Sequence, residues 1–202
     1  MYAQKLHDFG LQVSKERIIT ASMLMESFLH TQNISTLHVL GSPHLTTMLS
    51  SHFSICANTP DALVVGMDDA MCLADISRAL NACGTHTRIF ATNGDYFIPR
   101  QGRFDLECGA VLDVLRTATK RPITIVGKPS VFAFAFVLKH FGALCATTLM
   151  VGDTYETDIK GALDAGLHAA WVATGNALPP QLNESAFKRY ASLEALMHAW
   201  TH

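Results

Sequence analysis

Three charged side chains stand where their types and spacing could do chemistry. In the stretch MVGDTYETDIKGALDAG, Met150 to Gly166, the apolar run Thr147–Val151 ends in Gly152-Asp153, and Asp158 follows beside Thr157 where a helical pattern begins. Upstream, Ile123–Val126 leads into Gly127-Lys128-Pro129-Ser130, another apolar strand pattern ending in a polar turn. One carboxylate at the carboxyl end of a strand and a second at a helix start lie where open α/β sheets bind ligands. Two hard carboxylates suit an octahedral Mg²⁺ that keeps several waters and takes up a substrate phosphate. A lysine ammonium beside them offsets charge on a phosphoryl group. The same residues also have a plainer reading, as a Gly-Asp turn, a Thr/Asp helix cap and a solvated loop lysine. Both signals follow apolar strands in the same order, and that shared position favours the functional reading.

The elements that must hold these groups alternate along the chain. Residues 3–10 read as the end of an amphipathic helix, with Gly10 as its stop. Helices are expected at Ala21–His30, Pro43–Ser50, Met71–Ala82 and Leu106–Ala118, with strands at Thr36–Leu40, Asp61–Val65 and Thr87–Ala91. A polar loop with Pro99, Arg100 and Gly102 is expected before the Leu106 helix. A second series has strands at Ile123–Val126, Thr147–Val151 and Ala169–Val172 and helices at Ser130–His140, Asp158–Ala165 and Ser192–Trp200. Ser130 and Thr157 are expected N-caps. Strand–helix alternation argues for parallel sheets. The stretch 117–122 separates the two series.

Composition bounds the function. The chain has 202 residues, 49% hydrophobic and only 16% charged, so it can bury a sizeable core and is not disordered. A net charge of −2 with no basic cluster leaves no electrostatic footprint for nucleic acid. No apolar run reaches bilayer length and the N-terminus is not a signal peptide, so no membrane partner is expected. Five scattered cysteines without a CxxC pair point to reduced thiols and a cytoplasmic location. Ten histidines form no HExxH and no Cys/His cluster, and no zinc site is expected. Neither GxGxxG nor GxxxxGK[ST] occurs, which ranks a nucleotide-binding α/β enzyme low.

IVGKPS and MVGDTYETDIKGALDAGL resemble the third and fourth motifs of the haloacid dehalogenase superfamily. ALVVGMDD at 62–69, RIFATNGDYFIP at 88–99 and ECGAVLDVLRTATKRP at 107–122 resemble the large α/β cap of its nitrophenylphosphatase-like branch and the return to the core. MYAQKLHDFGLQV resembles the helix after the family's second motif. The resemblance covers most of the chain. It implies a Rossmann-like α/β core with an inserted α/β cap, with residues 1–20 a remnant of the N-terminal core half, 21–119 the cap and 120–202 the C-terminal core half. It implies a Mg²⁺-dependent phosphatase of small phosphorylated metabolites, self-associating through the cap. Lys128 would neutralise the phosphate and an aspartyl-phosphate intermediate. Asp153 would ligate the metal, and Asp158 would support it through water or orient Lys128. Asn93 to Ile98, with Asn93, Asp95 and Ile98 as substrate contacts, would form the cap loop that descends over the substrate. Asn93 and Asp95 equally suit Asx-turn chemistry after a strand, and Asp68 reads as a surface turn. Ile98 stands where some relatives carry a polar specificity residue. Glu107-Cys108 replaces the branch's usual Pro-Gly.

The resemblance also implies a nucleophilic aspartate on a first strand and an acid–base aspartate two residues on. No Asp-x-Asp on an apolar strand lies upstream of the matched motifs. Asp8 and Glu16 follow no apolar strand and do not substitute. The expectation is a phosphatase chain lacking its N-terminal motifs, with an incomplete core sheet and no turnover of its own. The alternative is a non-catalytic chain that binds a phosphorylated ligand or a protein partner.

Overall fold

The computed structural model describes residues 2–100, 103–180, 182 and 186–201. The N-terminal helix α1 (Tyr2–Asp8) buries none of its residues and ends at Gly10, whose φ of +82° suits a residue without a Cβ. After a short 3₁₀ turn at Lys15–Arg17, Thr20 caps α2 (Ala21–Thr31) by accepting a bond from the Met23 amide. There follow β1 (Thr36–Leu40), α3 (Pro43–Ser50), β2 (Ser54–Ile55), β3 (Ala62–Val65), α4 (Leu73–Ala82) and β4 (Arg88–Ala91). Then come β5 (Phe97–Arg100), β6 (Arg103–Leu106), α5 (Cys108–Thr119), β7 (Ile123–Ile125) and α6 (Val131–Phe141). The chain closes with β8 (Leu149–Gly152), α7 (Gly161–Asp164), β9 (His168–Val172), β10 (Lys188–Tyr190) and α8 (Leu193–Thr201).

Two parallel sheets result. The larger runs β2-β1-β3-β4-β7 and the smaller β10-β9-β8. Strand β3 lies at the centre of the larger sheet and is buried along its whole length, as a strand covered on both faces should be. One face of this sheet packs Leu24, Met25 and Leu29 of α2 with Leu45 and Leu49 of α3. The other packs Ile76 and Ala79 of α4 with Leu112 and Leu115 of α5. A third cluster gathers Phe134, Ile159, Ala162, Ala169 and Phe187 beside the smaller sheet. Helix α6 ties the two sheets together, because Ala133 joins the first cluster and Phe134 the third.

Four expectations are corrected. Strand β7, expected to open the second series, is the fifth strand of the first sheet, with Ile89, Phe90 and Ala91 of β4 in register with Ile123, Thr124 and Ile125. The stretch 117–122 comprises the last residues of α5 and the short connection to β7, where Lys120 takes a left-handed conformation. The expected polar loop around Pro99 is an antiparallel hairpin, β5 with β6, leaving Phe97 and Phe104 exposed and in ring contact. Its Gly102 lies outside the described residues. Thr157 is not an N-cap: it lies inside a wide π-helical turn, Tyr155–Lys160, that precedes α7. Asp158 does that capping work from within the turn, accepting the Asp153 and Thr154 amides at 3.2 Å each. Strands β2 and β10 were not expected. The first is two residues long, and the second, Lys-Arg-Tyr, carries no apolar signal.

Candidate active site

Three strands deliver the candidate groups at their carboxyl ends. Strand β4 runs into Thr92-Asn93, β7 into Val126-Gly127-Lys128, and β8 into Asp153. The close passage of two of these segments explains a glycine. The Gly127 amide donates to the Thr92 carbonyl at 3.1 Å, and a Cβ at Gly127 would collide with that oxygen. The Lys128–Pro129 bond is cis, and Ser130 then starts α6. Its hydroxyl donates to the Val126 carbonyl at 2.6 Å and accepts from the Ala133 amide at 3.2 Å.

Asp158 organises the site. Its Oδ1 accepts a 2.6 Å charge-assisted bond from Lys128 Nζ, while its Oδ2 takes the two amides of the β8 turn. The carboxylate is buried, and the lysine side chain is about half exposed. Gly152 leaves room for this, since a Cβ there would strike the Asp158 carboxylate. Lys128 is thus held at its root by β7 and at its tip by the turn after β8, with donor capacity left on the ammonium.

Asp153 differs from Asp158. Among the described residues its carboxylate has one hydrogen-bond partner, the Thr154 hydroxyl at 3.4 Å. Its backbone is pinned, with the carbonyl accepting from the Trp171 indole at 3.1 Å. Asn176 donates to the Thr154 hydroxyl at 3.0 Å and completes the rim. A hard, half-buried carboxylate with capacity to spare, on a fixed backbone, fits a Mg²⁺ that takes its other ligands from water and phosphate. Asp158, with both oxygens engaged, fits a positioning role.

The loop after β4 faces the same place. Asp95 is pushed above the usual carboxylate range by burial first, then by the negative charges of Glu107, Asp158 and Asp153, while Lys128 opposes the shift. These mutual influences put Asp95 close to the lysine–aspartate group. Asn93 donates to Glu107 at 3.1 Å, and its own Oδ1 is buried without a partner among the described residues. Glu107 also accepts from the Cys108 amide at 3.0 Å, capping α5. Burial and the Glu107 charge push the Cys108 thiol up to about 12. Ile98 is not drawn into this group. It sits within β5, paired with Asp105.

Sequence reasoning missed Glu107 as the partner of Asn93, and Thr154, Trp171 and Asn176 as supports of Asp153. The displaced Pro-Gly at 107–108 was the one available signal. The others are joined only by the fold.

The fold and this site define a class: α/β proteins that gather charged groups at the carboxyl ends of parallel strands. The HAD-hydrolase-like family profile matches residues 125–199. The 5'-nucleotidase YutF of Bacillus subtilis is 27% identical over 175 residues, covering 86% of this chain and 68% of that protein. The dihydroxyacetone phosphatase of Corynebacterium glutamicum is 30% identical over 173 residues, covering 85% of this chain and 63% of that one. A crystal structure of a double-mutant thermostable NPPase from Geobacillus stearothermophilus superposes with a TM-score of 0.85 at 26% identity, covering 93% of this chain and 77% of that chain. The chain thus has the fold of haloacid dehalogenase-like hydrolases, and the relatives and structural neighbours it resembles include enzymes of the nitrophenylphosphatase-like branch. It spans about two thirds of the length of the two curated relatives.

Proposed function

We propose that this chain supplies the lysine and metal-binding half of a Mg²⁺-dependent phosphomonoesterase site for small phosphorylated metabolites. The observation that carries the reading is the Lys128–Asp158 pair, with Asp158 at the same time fixing the amide of Asp153. Lys128 would donate to two phosphoryl oxygens and stabilise the charge that grows there. Asp158 keeps the ammonium aimed. Asp153 would hold the Mg²⁺, which when bound supplies further charge neutralisation and orients the phosphate. The loop at Asn93–Asp95 would flank the bound phosphate from the side of the first sheet. The names of the relatives, a 5'-nucleotidase and a dihydroxyacetone phosphatase, favour a phosphomonoester of metabolite size.

Covalent phosphatase chemistry of this family needs a free carboxylate nucleophile facing the lysine. Asp158 and Glu107 are committed to hydrogen bonds, and neither Asp153 nor Asp95 lies in an Asp-x-Asp strand. The reading is therefore that the 202-residue chain binds phosphate with Mg²⁺ but does not turn over a phosphomonoester.

Calorimetric titration with inorganic phosphate in Mg²⁺, paired with a chromogenic aryl phosphate assay, tests both parts. Lys128→Met should weaken phosphate binding at least about tenfold, the scale of one lost charge-assisted bond. Equal binding by that variant would remove the site assignment. Mg²⁺-dependent hydrolysis by the unmodified chain would remove the non-catalytic clause.

A further inference from the structure

A second group of ligand-bearing side chains lies away from the strand ends just described. Glu26 and His30 are one turn apart on α2 and so share a face of that helix. His52 follows α3, in the turn that leads to β2. Their ligand atoms all lie within 4.8 Å of one another, the one such group of three among the described residues. His52 Nε2 stands 3.2 Å from a Glu26 oxygen. The two imidazoles meet edge to face, with ring centroids 5.8 Å apart.

The fold holds these residues in place from behind. Met25 and Leu29, on either side of the Glu26–His30 face, are fully buried in the first core cluster. Leu49 and Phe53 anchor the other partner, and the His52 and Phe53 amides both donate to the Leu49 carbonyl, at 3.1 and 2.9 Å. The His30 ring packs against Phe53 with centroids 4.8 Å apart. Helix α3 starts at the carboxyl end of β1, so its far end, with His52, lies at the amino end of the sheet. The last turn of α2 leads into the start of β1 at that same end. Lys128 and Asp153 occupy the opposite end.

We propose that Glu26, His30 and His52 form a binding site for a borderline divalent transition-metal ion, of which Zn²⁺ is the archetype. Two imidazoles and one carboxylate are a donor set that suits zinc, with a fourth position left to water. Mg²⁺ and Ca²⁺ prefer all-oxygen ligands and are disfavoured here. In a tetrahedral site with bonds of about 2.0–2.1 Å, ligand atoms are about 3.3 Å apart. The Glu26–His52 separation already matches this, and rotation of the two exposed imidazoles closes the remainder. The ion would clamp α2 to the turn after α3, a structural role at the end of the molecule remote from the phosphate site. Local spacing could not reveal it, because the third ligand comes from a different element.

The test uses the full chain carrying Asp153→Asn, which disables the candidate Mg²⁺ site. After chelator treatment, Zn²⁺ is titrated against a competing chromophoric chelator, and Co²⁺ binding is followed by visible absorption. One equivalent of zinc is expected, together with a rise in Tm and a cobalt spectrum without thiolate charge-transfer bands. His30→Ala and His52→Ala should each weaken zinc binding by at least about tenfold, with circular dichroism confirming that the fold is kept. His86→Ala, outside the group, should bind as before. Absence of stoichiometric zinc binding, equal affinity in both histidine variants, or a thiolate-type cobalt spectrum would each overturn the proposal.

Discussion

Asp95 is a carboxyl whose protonation the site disturbs. Its carboxyl is held above its ordinary value of 3.8 by burial and by the charge of Glu107. A raised carboxyl pKa means that the folded chain binds more protons than the unfolded chain between the two values. Stability from this group therefore falls as pH rises from 3.8 through the raised pKa, and the penalty stays constant above it. Asp95→Asn should raise Tm at neutral pH, and the gain should vanish when the pH is taken below 3.8. Melting curves at pH 7 and in acid check this, and an equal gain at both would mean that charge is not the cause. Asp158 differs in that its buried carboxylate is matched by a lysine and two amides.

At the scale of elements, the start of α6 links the lysine to the rest of the molecule. Ser130 caps the helix and also ties it to the end of β7, two residues from Lys128. Loss of an N-cap costs about 1 kcal/mol. Ser130→Ala should lower the urea midpoint by that scale and also weaken phosphate binding, since the cap fixes the strand end that carries Lys128. A stability loss with unchanged binding would separate the helix cap from the site. The hairpin β5–β6 leaves the site at Asp95 and returns to it at Glu107, while Ile98 is paired with Asp105 within it.

For the whole molecule, the two sheets are unequally supported. The larger has helices on both faces and a central strand buried throughout. The smaller rests on one cluster, and every residue of β8 is only half-buried. Regions with fewer buried contacts open more readily. Hydrogen exchange should show β8, β9 and β10 losing protection at lower denaturant than β1, β3 and β4. Simultaneous loss across both sheets would instead show one cooperative unit.

The sequence by itself determined most of the helices and strands and singled out the candidate trio Lys128, Asp153 and Asp158. Each is a local matter: periodic burial in Ala21–Thr31, a serine before a helical run at 130, and a glycine and aspartate closing an apolar strand at 152–153. It also carried the family resemblance, through residues near 125–130 and 150–167. Tertiary structure decided what those residues do to one another. That β7 joins β4, that Asp158 faces Lys128 rather than capping its own helix from outside, that Glu107 holds Asn93, and that His52 meets Glu26 and His30 all depend on elements far apart in the chain. Local pattern encodes which face of an element is buried. Which partner covers it is settled only when the sheets and helices pack together.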